Sequence, residues 1–146
     1  MKSKSVCLDA SVVVASLLNE KETQISVELL TFLKKNEVQV ICPNIFILEI
    51  TAAIYLVAWY LSEQDKELVL DNLYCDGLLT TVELFTSLIS FGVDIIKDSK
   101  VKGMDSAYIA VASHLDIPLV TFDKLQLQGG KNYCEVFSPE EYIGSL

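Results

Sequence analysis

The sequence contains no arginine: all eleven of its basic residues are lysine. It therefore has no guanidinium fork to grip a phosphate from two sides and no arginine finger. Bases are also outnumbered, eleven against twenty acids, for a formal charge of −9 and a pI near 4.5. That excludes a broad cationic surface for nucleic acid. Any phosphate chemistry must borrow its positive charge, and metal ions are the obvious source. Histidine is nearly absent. His114 stands alone, so a Ser-His-Asp enzyme would hang on that residue, and its place late in a short helix suits a surface or capping role. Paired cysteines are missing as well: Cys7, Cys42, Cys75 and Cys134 are far apart, with no C-x-x-C spacing for zinc or redox chemistry. Cys7 and Cys42 lie in apolar runs, where a thiol acts as a small buried hydrophobe.

The start, MKSKSVCLD, meets an aspartate after three apolar residues, which is not a secretory leader, and a reducing cytoplasm is expected. The longest apolar run, residues 45–61, spans 17 residues with Glu49 as its only charge. It sits at the short edge of the roughly 17–25 residues a membrane helix needs. No lysine lies between Lys35 and Lys66 to anchor either end. A buried or partner-facing helix is expected instead, not a membrane span.

What is present reads as one domain over residues 1–146, rich enough in hydrophobic residues (51%) to build a core without staples. Strands are expected at 5–9, 38–42, 78–82, 117–123 and 133–137. Helices are expected at 11–18, 21–36 and 45–61, then from Ser62 to a stop at Gly77. Two more follow at 83–100, interrupted by Gly92, and at 104–115, with a loop at Gly129-Gly130 and a helical turn over 138–141. Five strands separated mainly by helices imply an α/β fold, a mainly parallel sheet covered on both faces. Ligands of such sheets sit at the carboxyl ends of the strands.

Four carboxylates can fall on that edge. Asp9 and Asp123 close two strands, Asp105 lies in the first turn of the helix before the second of them, and Glu49 lies about one turn into the apolar helix. Singly, Asp9 could cap a helix, Asp105 could favour a helix dipole, and Asp123 could form an Asx turn. Glu49 could face a solvent notch, although a lone carboxylate among apolar neighbours is costly to bury. As a set they repel one another with no histidine or arginine nearby. The arrangement makes sense with hard divalent cations between them, since Mg²⁺ and Mn²⁺ prefer oxygen ligands. The chemistry then open is two-metal displacement at phosphorus.

The segments VCLDASVV, PNIFILEITAAI, GMDSAYIAVASHLDIPLVTFDKL and VFSPEEY together resemble PIN-domain ribonucleases, and within them the VapC-type toxins of toxin–antitoxin pairs. The resemblance implies a Rossmann-like three-layer α/β/α sandwich whose acidic residues bind Mg²⁺ or Mn²⁺ and cut RNA. It also implies an acidic quartet of Asp9, Glu49, Asp105 and Asp123. On that reading Asp9 and Asp105 serve the metal nearest the attacking water, Glu49 and Asp123 complete coordination, and Ser11 and Thr121 steady them. Where the family commonly carries arginines after the last aspartate, this chain reads KLQL.

Lys97, Lys100, Lys102, Lys124 and Lys131 bracket two of the acids. They form either a solvated face or a local rim that guides RNA phosphates, with Lys100, Lys102 and Lys124 foremost. Tyr55, Trp59 and Tyr60 read as core or interface aromatics. The apolar helix is expected to serve homodimerisation or antitoxin docking. Two other functions compete: a receiver-type phosphoryl-accepting domain, which calls for paired acids after the first strand where Asp9 stands alone, and a catalytically inactive interaction protein.

Overall fold

The computed structural model describes residues 4–75 and 77–146. The first residues of the basic N-terminal start and the side chain of Cys75 lie outside the described residues. Five strands, β1 (Ser5–Leu8), β2 (Gln39–Pro43), β3 (Leu79–Val82), β4 (Leu119–Val120) and β5 (Val136–Phe137), form one sheet. Every pairing is parallel, in the order β3-β2-β1-β4-β5. Successive strands in a parallel sheet need crossovers, and helices supply them. These are α1 (Ala10–Leu17), α2 (Thr23–Lys35), α3 (Ile45–Leu56), α4 (Glu63–Cys75), α5 (Thr86–Ser99), α6 (Gly103–Leu115) and α7 (Lys124–Gly129), and α8 (Pro139–Gly144) closes the chain.

The α/β architecture expected from the alternation of strands and helices is present. Val6, Cys7 and Leu8 of β1 are buried in succession, as a strand covered on both faces requires. The helices α1, α2, α3 and α8 pack into one group, and α5, α6 and α7 into another. From Ser106 to Ala112 no residue of α6 reaches solvent appreciably, so this helix is part of the core and not an amphipathic cover.

Several expected boundaries move. The 17-residue apolar run is not one helix: α3 stops at Leu56, and the N–H groups of Val57 and Ala58 both turn back onto the carbonyl of Ala53. The Ser62 hydroxyl then accepts from the Asp65 N–H and starts α4. Among the described residues no helix is long and apolar enough to cross a membrane. The expected strand 117–123 narrows to Leu119–Val120, because Thr121 and Asp123 turn the chain out of the sheet toward α7. Gly92 does not interrupt α5. It lies against α6, where a Cβ would stand 3.3 Å from Ser106 Oγ. The glycine pair at 129–130 is not a loop but the end of α7 and the start of a single 3₁₀ turn, Gly130–Asn132. At the C-terminus Ser138 and Glu141 form a reciprocal capping box that starts α8.

The strand order reverses between β1 and β4. Doubly wound sheets bind ligands in the crevice outside such a reversal. Receiver domains share the flavodoxin-like order 2-1-3-4-5, which this sheet does not have, so the receiver reading is withdrawn.

Candidate active site

Register places the first acid. Leu8 of β1 is level with Val120 of β4, so the next residues, Asp9 and Thr121, leave the sheet side by side at its carboxyl edge. Asp9 caps α1, its Oδ2 accepting from the Ser11 N–H at 3.3 Å. The Thr121 hydroxyl donates to the same oxygen at 3.3 Å. Thr121 also accepts from the Asp123 N–H at 3.0 Å, which fixes the turn that carries Asp123. Asp123 in turn caps α7, its Oδ1 accepting from the Gln126 N–H at 2.9 Å.

Glu49 projects from α3 and accepts the Tyr108 hydroxyl on Oε1 at 2.8 Å. Asp105 sits in the first turn of α6, three residues before Tyr108. One face of α6 thus carries both an acid and the tyrosine that holds a second acid.

Charge ties the cluster together. Asp9 is almost wholly buried, and burial raises its carboxyl above the ordinary range despite hydrogen bonds from Ser11, Thr121 and Gln126. Glu49 is raised by its own burial and then by the charges of Asp9 and Asp105, while Tyr108 works in the other direction. Asp105 is pushed up to about 6, first by burial and then by Asp9 and Asp123; Lys102 and Gln126 oppose the shift. All four acids therefore lie within electrostatic reach of at least one other. Burial and Glu49 drive the Tyr108 phenol far upward, so it remains a donor at any physiological pH.

The cluster also holds unanswered oxygens. Among the described residues, four buried side-chain atoms have no hydrogen-bond partner, and three of them are Ser11 Oγ, Asp105 Oδ2 and Gln126 Oε1. Ser11 and Gln126 touch Asp9, and Asp105 feels its charge. Buried oxygens left without donors are costly, and together with crowded carboxylates they suit a hard cation. As the side chains stand, no three acids, thiols or imidazoles among the described residues enclose an ion site. Asp9, Glu49 and Asp123 each turn an oxygen onto a protein donor.

Two residues that sequence reading passed over belong to this cluster. Tyr108 and Gln126 are both fully buried, and each contacts an acid. The spacing D-x-x-Y over 105–108 and D-x-x-Q over 123–126 is the available signal, because positions three apart share one helix face. Of the rim lysines, Lys102 caps the N-terminal end of α6 and acts on Asp105. Lys100 and Lys124 are exposed, Lys100 in a left-handed turn with φ 59°. His114 is exposed and packs edge-on against Phe85 at 5.7 Å, away from any Ser-His-Asp arrangement. An apolar cavity of about 360 Å³ lies under α1, α2 and α4, and none of the four acids lines it.

A family model, the PIN domain, matches residues 6–130. The chain belongs to the PIN-domain family. No curated protein matches this PIN domain in sequence. Among solved structures it is similar to the crystal structure of FitAcB from Neisseria gonorrhoeae, at TM-score 0.71 and 17% identity over 92% of this chain and 98% of that one. It is also similar to FitAB bound to an IR36 DNA fragment, at TM-score 0.67 and 17% identity over 92% and 94% of the two chains. A toxin–antitoxin complex from Klebsiella pneumoniae matches at TM-score 0.64 and 16% identity over 92% and 97%. At such identities the likeness carries the fold.

Proposed function

We propose that this PIN domain is a metal-dependent endoribonuclease, the toxin of a type II toxin–antitoxin pair. The observation that supports the reading is that Asp9, Glu49, Asp105 and Asp123 each act electrostatically on at least one other beside the sheet reversal, with unpartnered buried oxygens on Ser11, Asp105 and Gln126. Those four acids would hold Mg²⁺ or Mn²⁺. When bound, the ions supply a water acidified for attack at phosphorus and a counter-charge for the leaving oxygen.

The rest is work for the chain's own groups. Asp9 and Asp105 would serve the metal nearest the attacking water, and Glu49 and Asp123 would complete the donor set. Thr121 and the Ser11 N–H hold Asp9 in orientation, and Tyr108 holds Glu49. Lys102, with Lys100 and Lys124, would offer phosphate contacts on a protein otherwise too acidic to attract RNA. A cytoplasmic location agrees with thiols at Cys7, Cys42 and Cys134 that are free and unpaired by disulfides.

The toxin assignment draws on the structural neighbours, one a toxin–antitoxin complex and another bound to DNA. An antitoxin and a second copy of the chain are the expected protein partners, and the exposed apolar side chains of α3 and the turn after it are the surface they would cover.

The deciding experiment is RNA cleavage by purified protein with Mg²⁺ or Mn²⁺. Asp9→Asn should abolish cleavage while melting at the same temperature or higher, because it removes a buried charge crowded by other acids. Undiminished cleavage by that variant would refute the assignment. Induced expression in a bacterial host should arrest growth, and Asp9→Asn should relieve the arrest.

A further inference from the structure

Gln126 has no exposed surface, yet its polar groups point at carboxylates. Its backbone N–H donates to Asp123 Oδ1 at 2.9 Å, and its side-chain Nε2 donates to Asp9 Oδ1 at 3.5 Å. One residue thus touches two of the four acids. Its Oε1, however, is buried with no partner. A fully buried carboxamide that satisfies only its nitrogen is an unfinished arrangement.

A structural role alone explains this poorly. An apolar side chain of the same length would fill the space at the base of α7 without burying an amide. Capping of α7 needs only the Gln126 N–H, which every residue but proline supplies. The carboxamide is therefore surplus to the fold and is explained by what lies next to it.

We propose that Gln126 is a fifth member of the cation site. Without an ion its Nε2 gives Asp9 a donor and helps the crowded acids tolerate one another. When the ion enters, a half-turn of the amide exchanges Nε2 for Oε1, and the carbonyl oxygen joins the carboxylates as a neutral ligand. Amide oxygens are good donors to hard divalent cations. The exchange needs no change in volume, because the two ends of a carboxamide are nearly the same size. This inference rests on the metal reading above.

The test is Mn²⁺ binding measured by calorimetry on the full chain, together with the melting temperature with and without Mn²⁺. Gln126→Met keeps length and apolar packing but removes both amide atoms; it should weaken Mn²⁺ binding about 10-fold or more. Gln126→Glu puts a charged oxygen at the same place; it should tighten Mn²⁺ binding and lower the melting temperature of the metal-free protein. A purely structural Gln126 predicts neither the tightening nor its coupling to metal-free stability. Mn²⁺ affinities within twofold of the parent in both variants would overturn the proposal, with the four-acid site left standing. If Gln126→Met does not fold, Gln126→Glu decides alone, unchanged or weaker binding counting against. A parent protein that takes up no Mn²⁺ would overturn the metal reading, and this proposal with it.

Discussion

Tyr108 donates its hydroxyl to Glu49 across the cleft between α6 and α3, at 2.8 Å. Its aromatic body is fully buried, so the ring is held by packing and the hydroxyl is aimed by the ring. Glu49 is only half-buried on the short apolar helix α3, and this bond is what fixes one of its oxygens. Tyr108→Phe should therefore preserve the fold and cost about 1 kcal/mol of stability, the usual net worth of such a bond. Its larger effect should fall on the site, with Mn²⁺ affinity reduced about 10-fold. Calorimetry alongside thermal melting checks this. Metal affinity unchanged in a folded Tyr108→Phe protein would mean that Glu49 needs no anchor.

Stability should depend on pH in opposite senses without and with metal. Burial and the neighbouring acids raise Asp105 to about 6, and Asp9 and Glu49 shift the same way. Between the ordinary carboxylate range and those raised values the folded protein binds more protons than the unfolded chain. Its stability therefore rises as pH falls through about 6, and the gain is complete near the ordinary carboxylate value. In EDTA the melting temperature should be higher at about pH 5.5 than at about pH 7.5. Mn²⁺ binds the ionised acids and displaces their protons, so its stabilising effect should be larger at the higher pH. Asp105→Asn should flatten the metal-free dependence. A metal-free melting temperature that climbs steadily from pH 5.5 to 7.5 would contradict the crowding of these acids.

Much of this site could be read from the chain because two of its acids sit where apolar runs end. In VCLD the aspartate directly follows β1, and in LVTFD it lies three residues past the end of β4, in the turn into α7. The sheet order then brings Asp9 and Asp123 together. The limits of α3 were not legible, because residues 45–61 carry no glycine or proline stop signal, and the break after Leu56 is a local turn in which the Val57 and Ala58 N–H groups share the Ala53 carbonyl. The helix α7 was hidden by its six-residue length and by the glycine pair that ends it. Gln126 and Tyr108 escaped for a different reason. The three-residue spacing from Asp105 and Asp123 puts each on an acid's helix face, but it does not tell a buried amide or phenol from a surface one; the fold does that.

The glycine pair has a packing reason that sequence punctuation misread. A Cβ on Gly129 would come within 2.9 Å of Ser99 Cβ and Val101 Cγ1, and one on Gly130 within 2.7 Å of Val136 Cγ2. Both residues are buried where the end of α7 meets the segment after α5 and the last strand. Gly130→Ala should cost about 1–3 kcal/mol, as overpacking of a close contact does. Gly103→Ala meets nothing within 4 Å and begins a helix, so it should be neutral or slightly stabilising. Urea denaturation of the two variants makes the comparison. Equal stabilities would mean that the backbone near Gly130 yields freely.

The exposed apolar side chains of α3 and the turn that follows are the least economical feature of an isolated monomer. Leu56 and Trp59 are each 78% exposed and Leu48 is 69% exposed, with Tyr60 also open to solvent. Large apolar groups gathered on one element and its turn mark a surface that a partner covers. If a second copy of the chain covers it, sedimentation should report a dimer at micromolar concentration. Leu56→Lys or Trp59→Lys should then shift the protein toward monomer. A residue central to such an interface is worth about 2 kcal/mol or more, roughly 30-fold in dimer affinity. Val27→Lys, an exposed apolar position on α2, is the matched control and should leave the association unchanged. A monodisperse monomer at high concentration would reject self-association and leave the antitoxin as the partner for this face.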